Sequence, residues 1–404
     1  MNVFVARQPI FDRKKNVYAY ELLFRAGFEN YYNSLDPDKA TVDVISNSFF
    51  VIGFDQLTDG RRAFINFTRN LLVKGVAALL PKDQVTVEIL EDIEPDEDVL
   101  GVCRSLKEAG FCMAMDDFVS KHRGSPLIQF ADIVKVDFMH TDSAARRAIC
   151  KELTSQGVAA LAEKVETAEE FDEALDCGYA YFQGYFFSKP VVHTGKQIAA
   201  NKLTYLQVLA KVNQPGISYE ELENLIKQDV SLTYKLLRFM NSAWFGFRSE
   251  IKSIRHALIL LGPKEIKKWF ALIALSHMAT DKPHELMLRA IARARIAEGL
   301  APVVGMSQHS PELFLLGMFS LIDALIDTDM ADIMEKLPLD QQIKRALLGE
   351  PCAFRTVYEM ILAYEKGQWE EFSQLASHLG LDESVVPYLF SDSLKWANEA
   401  FTII

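Results

Sequence analysis

Six apolar segments between Arg61 and Phe187 each run into a polar side chain that a protein core would reject. Arg-Ala-Phe-Ile leads to Asn66, and Val-Thr-Val to Glu88. Cys-Met-Ala-Met leads to Asp116 and Asp117, and Ile133-Val134 to Lys135 and Asp137. Ala-Ala-Leu-Ala leads to Glu163, with Glu166 just beyond, and Tyr179 to Phe182 lead to Gln183. Successive ends from Asn66 onward lie roughly 19 to 28 residues apart, the length of one strand–helix unit. A strand buried on both faces should finish in apolar residues or a plain turn. Repeated polar ends at that spacing describe the mouth of a parallel barrel, the end at which such folds keep their chemistry.

The intervening stretches carry helical spacing. Val102, Leu106 and Ala109 share a face within Val99 to Ala109, as do Ala168, Phe171 and Leu175 within Thr167 to Leu175. Alternating β and α predicts parallel strands, hence an α/β barrel or a doubly wound sheet. No Gly-x-Gly-x-x-Gly follows a strand, which favours the barrel. Near Lys189 to Gln197 a turn-rich junction intervenes, and strand-like alternation then stops. Ser218 and Glu221 form a capping-box signal ahead of Leu222, and Ser231 is placed to cap the next helix. Gly262-Pro263 closes one helix and opens another, and Ser310-Pro311 starts a further one. The expected architecture is a TIM-like α/β barrel over residues 1–195 followed by an all-α domain over 196–404.

The chain's 404 residues suit two or three domains, and 50% hydrophobic against 24% charged residues lets both halves bury a core. A net charge of −12 argues against polymeric nucleic acid as a partner. Five scattered cysteines without a Cys-x-x-Cys pair read as buried hydrophobes of a reducing compartment. With no apolar run near the roughly 20 residues of a membrane span and no signal peptide, a cytoplasmic location is expected.

Adding Glu21, which follows the strand pattern Val17 to Tyr20, gives seven carboxylates at strand ends: Glu21, Glu88, Asp116, Asp117, Asp137, Glu163 and Glu166. Any one of them alone would be a helix cap or a loop residue. Their recurrence points to a shared site, and so many acids around one mouth call for cations. Oxygen donors with one amide, Asn66, suit hard divalent ions such as Mg²⁺ or Mn²⁺ and not zinc. Adjacent carboxylates such as Asp116-Asp117 can bridge two ions, which together clamp a phosphodiester for in-line attack. Lys135 could position the attacking water and Arg25 a phosphate oxygen.

These residues resemble the EAL domain family of cyclic di-GMP phosphodiesterases over about residues 1–195. The resemblance rests on Gln8-Pro9-Ile10, Glu21-Leu22-Leu23-Phe24-Arg25, Ile-Asn66-Phe-Thr, Val-Glu88-Ile-Leu-Glu, Asp116-Asp117-Phe118, Val-Lys135-Val-Asp137, Glu163-Lys-Val-Glu and Phe-Gln183-Gly-Tyr. It implies metal-dependent hydrolysis of cyclic di-GMP to the linear dinucleotide pGpG in bacterial second-messenger signalling. By that resemblance Glu21, Asn66, Glu88, Asp116 and Asp117 hold two ions, Mg²⁺ or Mn²⁺. Lys135 and Glu163 serve the attacking water together with Glu21, while Gln8, Leu23, Arg25, Asp137 and Gln183 contact the nucleotide. The stretch Val119 to Pro126 departs from the glycine-rich loop that couples dimerisation to ligand binding in the family. Lys164 stands where the family has glycine, and Leu22 where it has its name-giving alanine. The segment from Arg25 to Asn66 is shorter than is usual. A catalytically weak or inactive cyclic di-GMP-binding effector therefore stays open, as does another Mg²⁺-dependent barrel enzyme, an enolase-like lyase with Lys135 as base.

The second half resembles the HDOD domain, on Asp229-Val-Ser-Leu through Leu236-Leu-Arg, Asn241-Ser-Ala-Trp-Phe-Gly, Ser253-Ile254 and Leu261-Gly262. No histidine is followed by aspartate. After Leu316-Gly317-Met318, where the catalytic doublet of an HD hydrolase would stand, the chain reads Phe-Ser-Leu-Ile-Asp323. The expected role is a non-catalytic output domain with an unidentified protein partner. A homodimer is allowed, and His256 and His277 are expected to be core or surface residues.

Overall fold

The computed structural model describes residues 3–26, 57–116, 125–186, 205, 208–214, 216–227, 230–241, 251–279 and 282–403. The chain divides into two compact units. One comprises Met1–Lys189 with Leu362–Ser373, and the other Pro190–Ile361 with Gln374–Ile404.

Eight strands close into a barrel in sequence order: β1 (Val3–Asp12), β2 (Val17–Ala26), β3 (Arg62–Phe67), β4 (Val85–Ile89), β5 (Cys112–Met115), β6 (Ile133–Asp137), β7 (Ala159–Val165) and β8 (Tyr181–Gly184). Closure removes the doubly wound alternative. From β2 to β8 the neighbours are parallel, but β1 runs antiparallel to both β2 and β8. The loop from Asp12 to Val17 is too short for a crossover and must form a hairpin. Asp12 organises it by accepting from the N–H groups of Lys14 and Asn16, at 2.8 and 2.9 Å. All-parallel pairing, as alternation alone implies, fails at this one strand.

Period-two alternation sorts the barrel interior into layers. Ile10, Ala19, Phe64, Ala114, Ile133 and Leu161 form one apolar cluster. Two residues further toward the mouth on each strand stand Gln8, Glu21, Asn66, Asp116, Lys135 and Glu163. Glu88 and Gln183 follow Thr86 and Tyr181 in the same way. The apolar layer is the floor of the polar one.

Helices Glu97–Glu108, Ser143–Ser155 and Ala168–Cys177 connect successive parallel strands. Each has a side-chain N-cap, Asp96, Asp142 and Thr167, the last in a reciprocal capping box with Glu170. The first buries Val99, Cys103 and Leu106; of the expected stripe Leu106 is buried, Val102 half-buried and Ala109 exposed. Close backbone approach fixes Gly184, where a Cβ would overlap the backbone of Val165. Lys164, beside this β7–β8 irregularity, has φ +57, a conformation that favours glycine.

Among the described residues of the second unit, the regular elements are all helices. Ser218 and Glu221 form the expected reciprocal cap, whereas Ser231 falls inside the helix Val230–Met240. Gly262, at φ +73, breaks the run Ile254–Met278 just ahead of Pro263. Ser310–Phe319 begins with Pro311 in its first turn. Leu222, Ile226, Leu236, Leu258, Trp269 and Phe270 centre its core. The expected junction at Lys189–Gln197 lies outside the described residues.

Candidate active site

Glu21, Asn66, Glu88, Asp116, Lys135, Glu163 and Gln183 converge on one space at the mouth of the barrel. Lys135 on β6 is the hub. Its Nζ lies 2.5 Å from Glu88 Oε1, 3.0 Å from Asp116 Oδ1, and 3.4 Å from both Glu21 Oε2 and Glu163 Oε1. Four carboxylates, on β2, β4 and β7 and just past the end of β5, thus meet around the one ammonium of β6. Asn66 donates to Glu21 Oε1 at 3.0 Å, and Gln183 donates to Glu21 Oε2 at 2.6 Å and to Gln8 Oε1 at 3.2 Å.

Lys135 is 1% exposed and Glu88 0%. Burial alone would discharge the lysine, but Glu21, Glu88, Glu163 and Asp116 surround it and hold it well above the ordinary lysine range. Burial raises Glu88 well above the usual carboxylate value, with Lys135 opposing. Burial likewise pushes Glu163 up to about 7, again against the pull of Lys135. Four carboxylates against one cation leave this layer short of positive charge.

Several buried oxygens in the layer have no hydrogen-bond partner: Asn66 Oδ1, Glu88 Oε2, Glu163 Oε2 and Gln183 Oε1. All are acceptors, and an unsatisfied buried acceptor costs about 1–3 kcal/mol. An oxygen-only donor set with orphaned acceptors and excess negative charge fits a hard divalent cation. As placed, the carboxylates are drawn onto Lys135. Among the described residues no three His, Cys, Asp or Glu side chains are set to ligate an ion.

The remaining expected residues fall elsewhere or outside the description. Asp137 is buried but faces its own turn. It accepts from Met139 N–H at 2.6 Å and from His140 N–H at 3.1 Å, and it pairs with His140 Nδ1 at 2.8 Å and Lys164 Nζ at 2.7 Å. Burial opposes its charge, but the contacts with Lys164 and His140 and the backbone N–H prevail and lower it to about 2. Glu166 is exposed. Leu23 is half-buried near the end of β2, and the backbone of Arg25 pairs with Phe4. Asp117 and nearly all of the loop that follows it lie outside the described residues, as does the segment 27–56. Lys164 was legible only as a departure from glycine. Its φ and its bond to Asp137 give it a structural role that spacing does not disclose.

In the helical unit Asn241 acts as a surrogate backbone. Its side chain donates to Ile251 O at 2.8 Å and accepts from Ile251 N–H at 2.7 Å, pairing with both backbone groups of that residue. His256 is exposed, and the His277 ring stacks on Tyr205, 4.5 Å between centroids. Asp323 is held by Ala324 N–H at 2.8 Å, yet burial still raises it to about 6.

The comparisons agree with this two-part organisation. The EAL domain family matches residues 49–190 and the HDOD domain family residues 200–346. The chain belongs to the family of proteins in which an EAL domain precedes an HDOD domain. Over its whole length it is 36% identical to the uncharacterised protein YuxH of Bacillus subtilis, across 98% of both chains. It is also 33% identical to the cyclic di-GMP phosphodiesterase CdgJ of Vibrio cholerae, across 99% of this chain and 94% of that one. Among solved structures, BlrP1 of Klebsiella pneumoniae, in a calcium and cyclic di-GMP complex, aligns at 24% identity and a TM-score of 0.39. That alignment covers 47% of this chain and 56% of BlrP1. Among the described residues no helix is long and apolar enough to cross a membrane.

Proposed function

We propose that the barrel is a metal-dependent phosphodiesterase that hydrolyses one phosphodiester of cyclic di-GMP to give pGpG. Residues 1–195 would form the catalytic domain, and 196–404 a non-catalytic HDOD output domain. The observation that carries this reading is the convergence of Glu21, Asn66, Glu88, Asp116 and Glu163 on one polar layer around Lys135. The full-length likeness to a cyclic di-GMP phosphodiesterase supports the choice of substrate.

Glu21, Asn66, Glu88 and Asp116, with Asp117, would hold two divalent ions, Mg²⁺ or Mn²⁺. Such ions supply Lewis acidity and neutralise charge on the phosphodiester. Gln183 fixes the rotamer of Glu21 through its 2.6 Å bond. Glu163, whose burial holds it near 7, is suited to orient water and take up its proton. Lys135 keeps Glu163 and Asp116 turned inward. Held protonated by four acids, it is a donor and not the base an enolase-like lyase would need. Gln8, Leu23 and Arg25, at the rim, would contact the nucleotide. Asp137 would act indirectly, by fixing the turn after β6.

Incubation of the purified chain with cyclic di-GMP and Mg²⁺ or Mn²⁺, followed by product chromatography, tests the reading. It predicts metal-dependent pGpG. Binding by calorimetry with intact cyclic dinucleotide after hours would overturn turnover in favour of an effector.

A further inference from the structure

The barrel unit includes one stretch from far down the chain, Leu362–Ser373, and that stretch reaches the rim of the proposed site. It consists of the end of the helix Ala353–Glu365, the turn Lys366–Gln368 and the start of the helix Trp369–His378. Its seat is aromatic. Tyr364, Trp369 and Phe372 surround Phe4 of β1, with ring centroids 6.5, 6.3 and 6.1 Å away. Phe4 and Phe372 are both 0% exposed, so this is core packing and not a surface touch.

Because β1 is antiparallel, Phe4 stands at the mouth end, opposite Arg25 of β2. The turn therefore meets the rim residues directly. Gly367, at φ +67, lies so close to Leu23 that a Cβ there would be 2.9 Å from Leu23 Cδ1 and 3.4 Å from Leu23 Cβ. The carbonyl of Lys366 lies 3.5 Å from Gln8 Nε2, at the long limit of a hydrogen bond. Gln8 in turn accepts from Gln183, which donates to Glu21. A chain of polar contacts thus runs from the turn to a carboxylate of the hub.

We propose that the turn Lys366–Gln368 forms a wall of the nucleotide-binding mouth, with Gly367 as a positioning residue that sets Leu23 and Gln8 for the cyclic dinucleotide. The inference rests on the phosphodiesterase reading and adds to it an element outside the segment matched by the EAL family. Glycine is required twice over, by its left-handed backbone and by the space that Leu23 occupies. A methyl group at 367 displaces Leu23 while leaving the four carboxylates of the hub where they are. It should therefore act on binding and spare the chemical step.

The test is steady-state kinetics of full-length Gly367→Ala with cyclic di-GMP and Mn²⁺, beside the double variant Gly367→Ala/Leu23→Ala. The single variant should raise KM about tenfold with kcat within about twofold of wild type. The double variant should show no further penalty from the alanine at 367 relative to Leu23→Ala alone, because the clashing side chain is gone. A second readout does not depend on that variant folding. Trp369 is half-buried beside the turn, so ligand titration should shift tryptophan emission in wild type, and Trp369→Phe should abolish that shift. A folded Gly367→Ala variant with wild-type KM, or an emission change that survives Trp369→Phe, overturns the inference while leaving the phosphodiesterase reading intact. Wild-type protein that neither binds nor cleaves cyclic di-GMP overturns both.

Discussion

Lys135→Met, measured in the metal-free protein, isolates the electrostatic demand of the polar layer. Methionine keeps most of the side-chain volume, so the change is chiefly loss of the charge that lies within 3.4 Å of four carboxylates. Ionised acids cannot remain buried without it, and the layer can answer only by taking up about one further proton. From an ordinary glutamate value of 4.5, neutralising one carboxylate costs ~1.4 kcal/mol per pH unit, hence ~3 kcal/mol at pH 7 and under ~1 kcal/mol at pH 5. The sign follows from linkage. An acid whose folded pKa is raised loses stability as pH rises from its unfolded value toward its folded one. Urea unfolding of wild type and variant in EDTA, at pH 5, 6 and 7, reads the difference directly. A penalty that grows with pH and shrinks on adding Mn²⁺ supports the account. One that is constant across pH, or below about 1 kcal/mol at pH 7, refutes it.

Other outcomes follow from single sites. Asp323→Asn should stabilise the helical unit by up to about 3 kcal/mol at pH 8 and by almost nothing at pH 4. Its raised pKa of about 6 means that stability is lost as pH rises from the unfolded value toward 6, and asparagine can still accept from Ala324 N–H. Thermal unfolding across pH reads it. Gly317→Ala should destabilise the same unit by about 3 kcal/mol or more, because the added Cβ would overlap the Arg293 carbonyl on the neighbouring helix; denaturant titration checks this. Lys164→Gly and Lys164→Ala both remove the bond to Asp137, yet the glycine variant should be more stable by about 1 kcal/mol, since φ is +57 there. Equal stabilities would show that the left-handed backbone is not retained.

The polar layer was legible in the sequence for a simple reason. In a strand, residues two apart point the same way, so Phe64 in the apolar floor requires Asn66 in the mouth, and Leu161 requires Glu163. The helix cap at Ser218 and the helix start at Ser310-Pro311 were legible because helix initiation is local chemistry. Strand direction was not, since alternation is the same for parallel and antiparallel pairs. The one local signal for the hairpin, the shortness of the Asp12–Val17 loop, was not read. Asp137 looked like one more mouth residue, because spacing cannot reveal that Lys164 and His140 take up its oxygens. Nor could any local pattern announce that Gly367, a glycine just past a helix end, meets Leu23. That contact joins residues with nothing between them in sequence to encode it.

The most direct test of the central claim is the initial rate of pGpG formation from cyclic di-GMP as a function of Mn²⁺ concentration, for wild type and Glu21→Ala. Wild type should show saturable, EDTA-sensitive turnover. Glu21→Ala should lose it at every metal concentration, because the carboxylate held by Asn66 and Gln183 is gone. Wild-type turnover in Glu21→Ala, or no turnover in wild type at saturating Mn²⁺, would contradict the assignment of the barrel mouth as a metal-dependent phosphodiesterase centre.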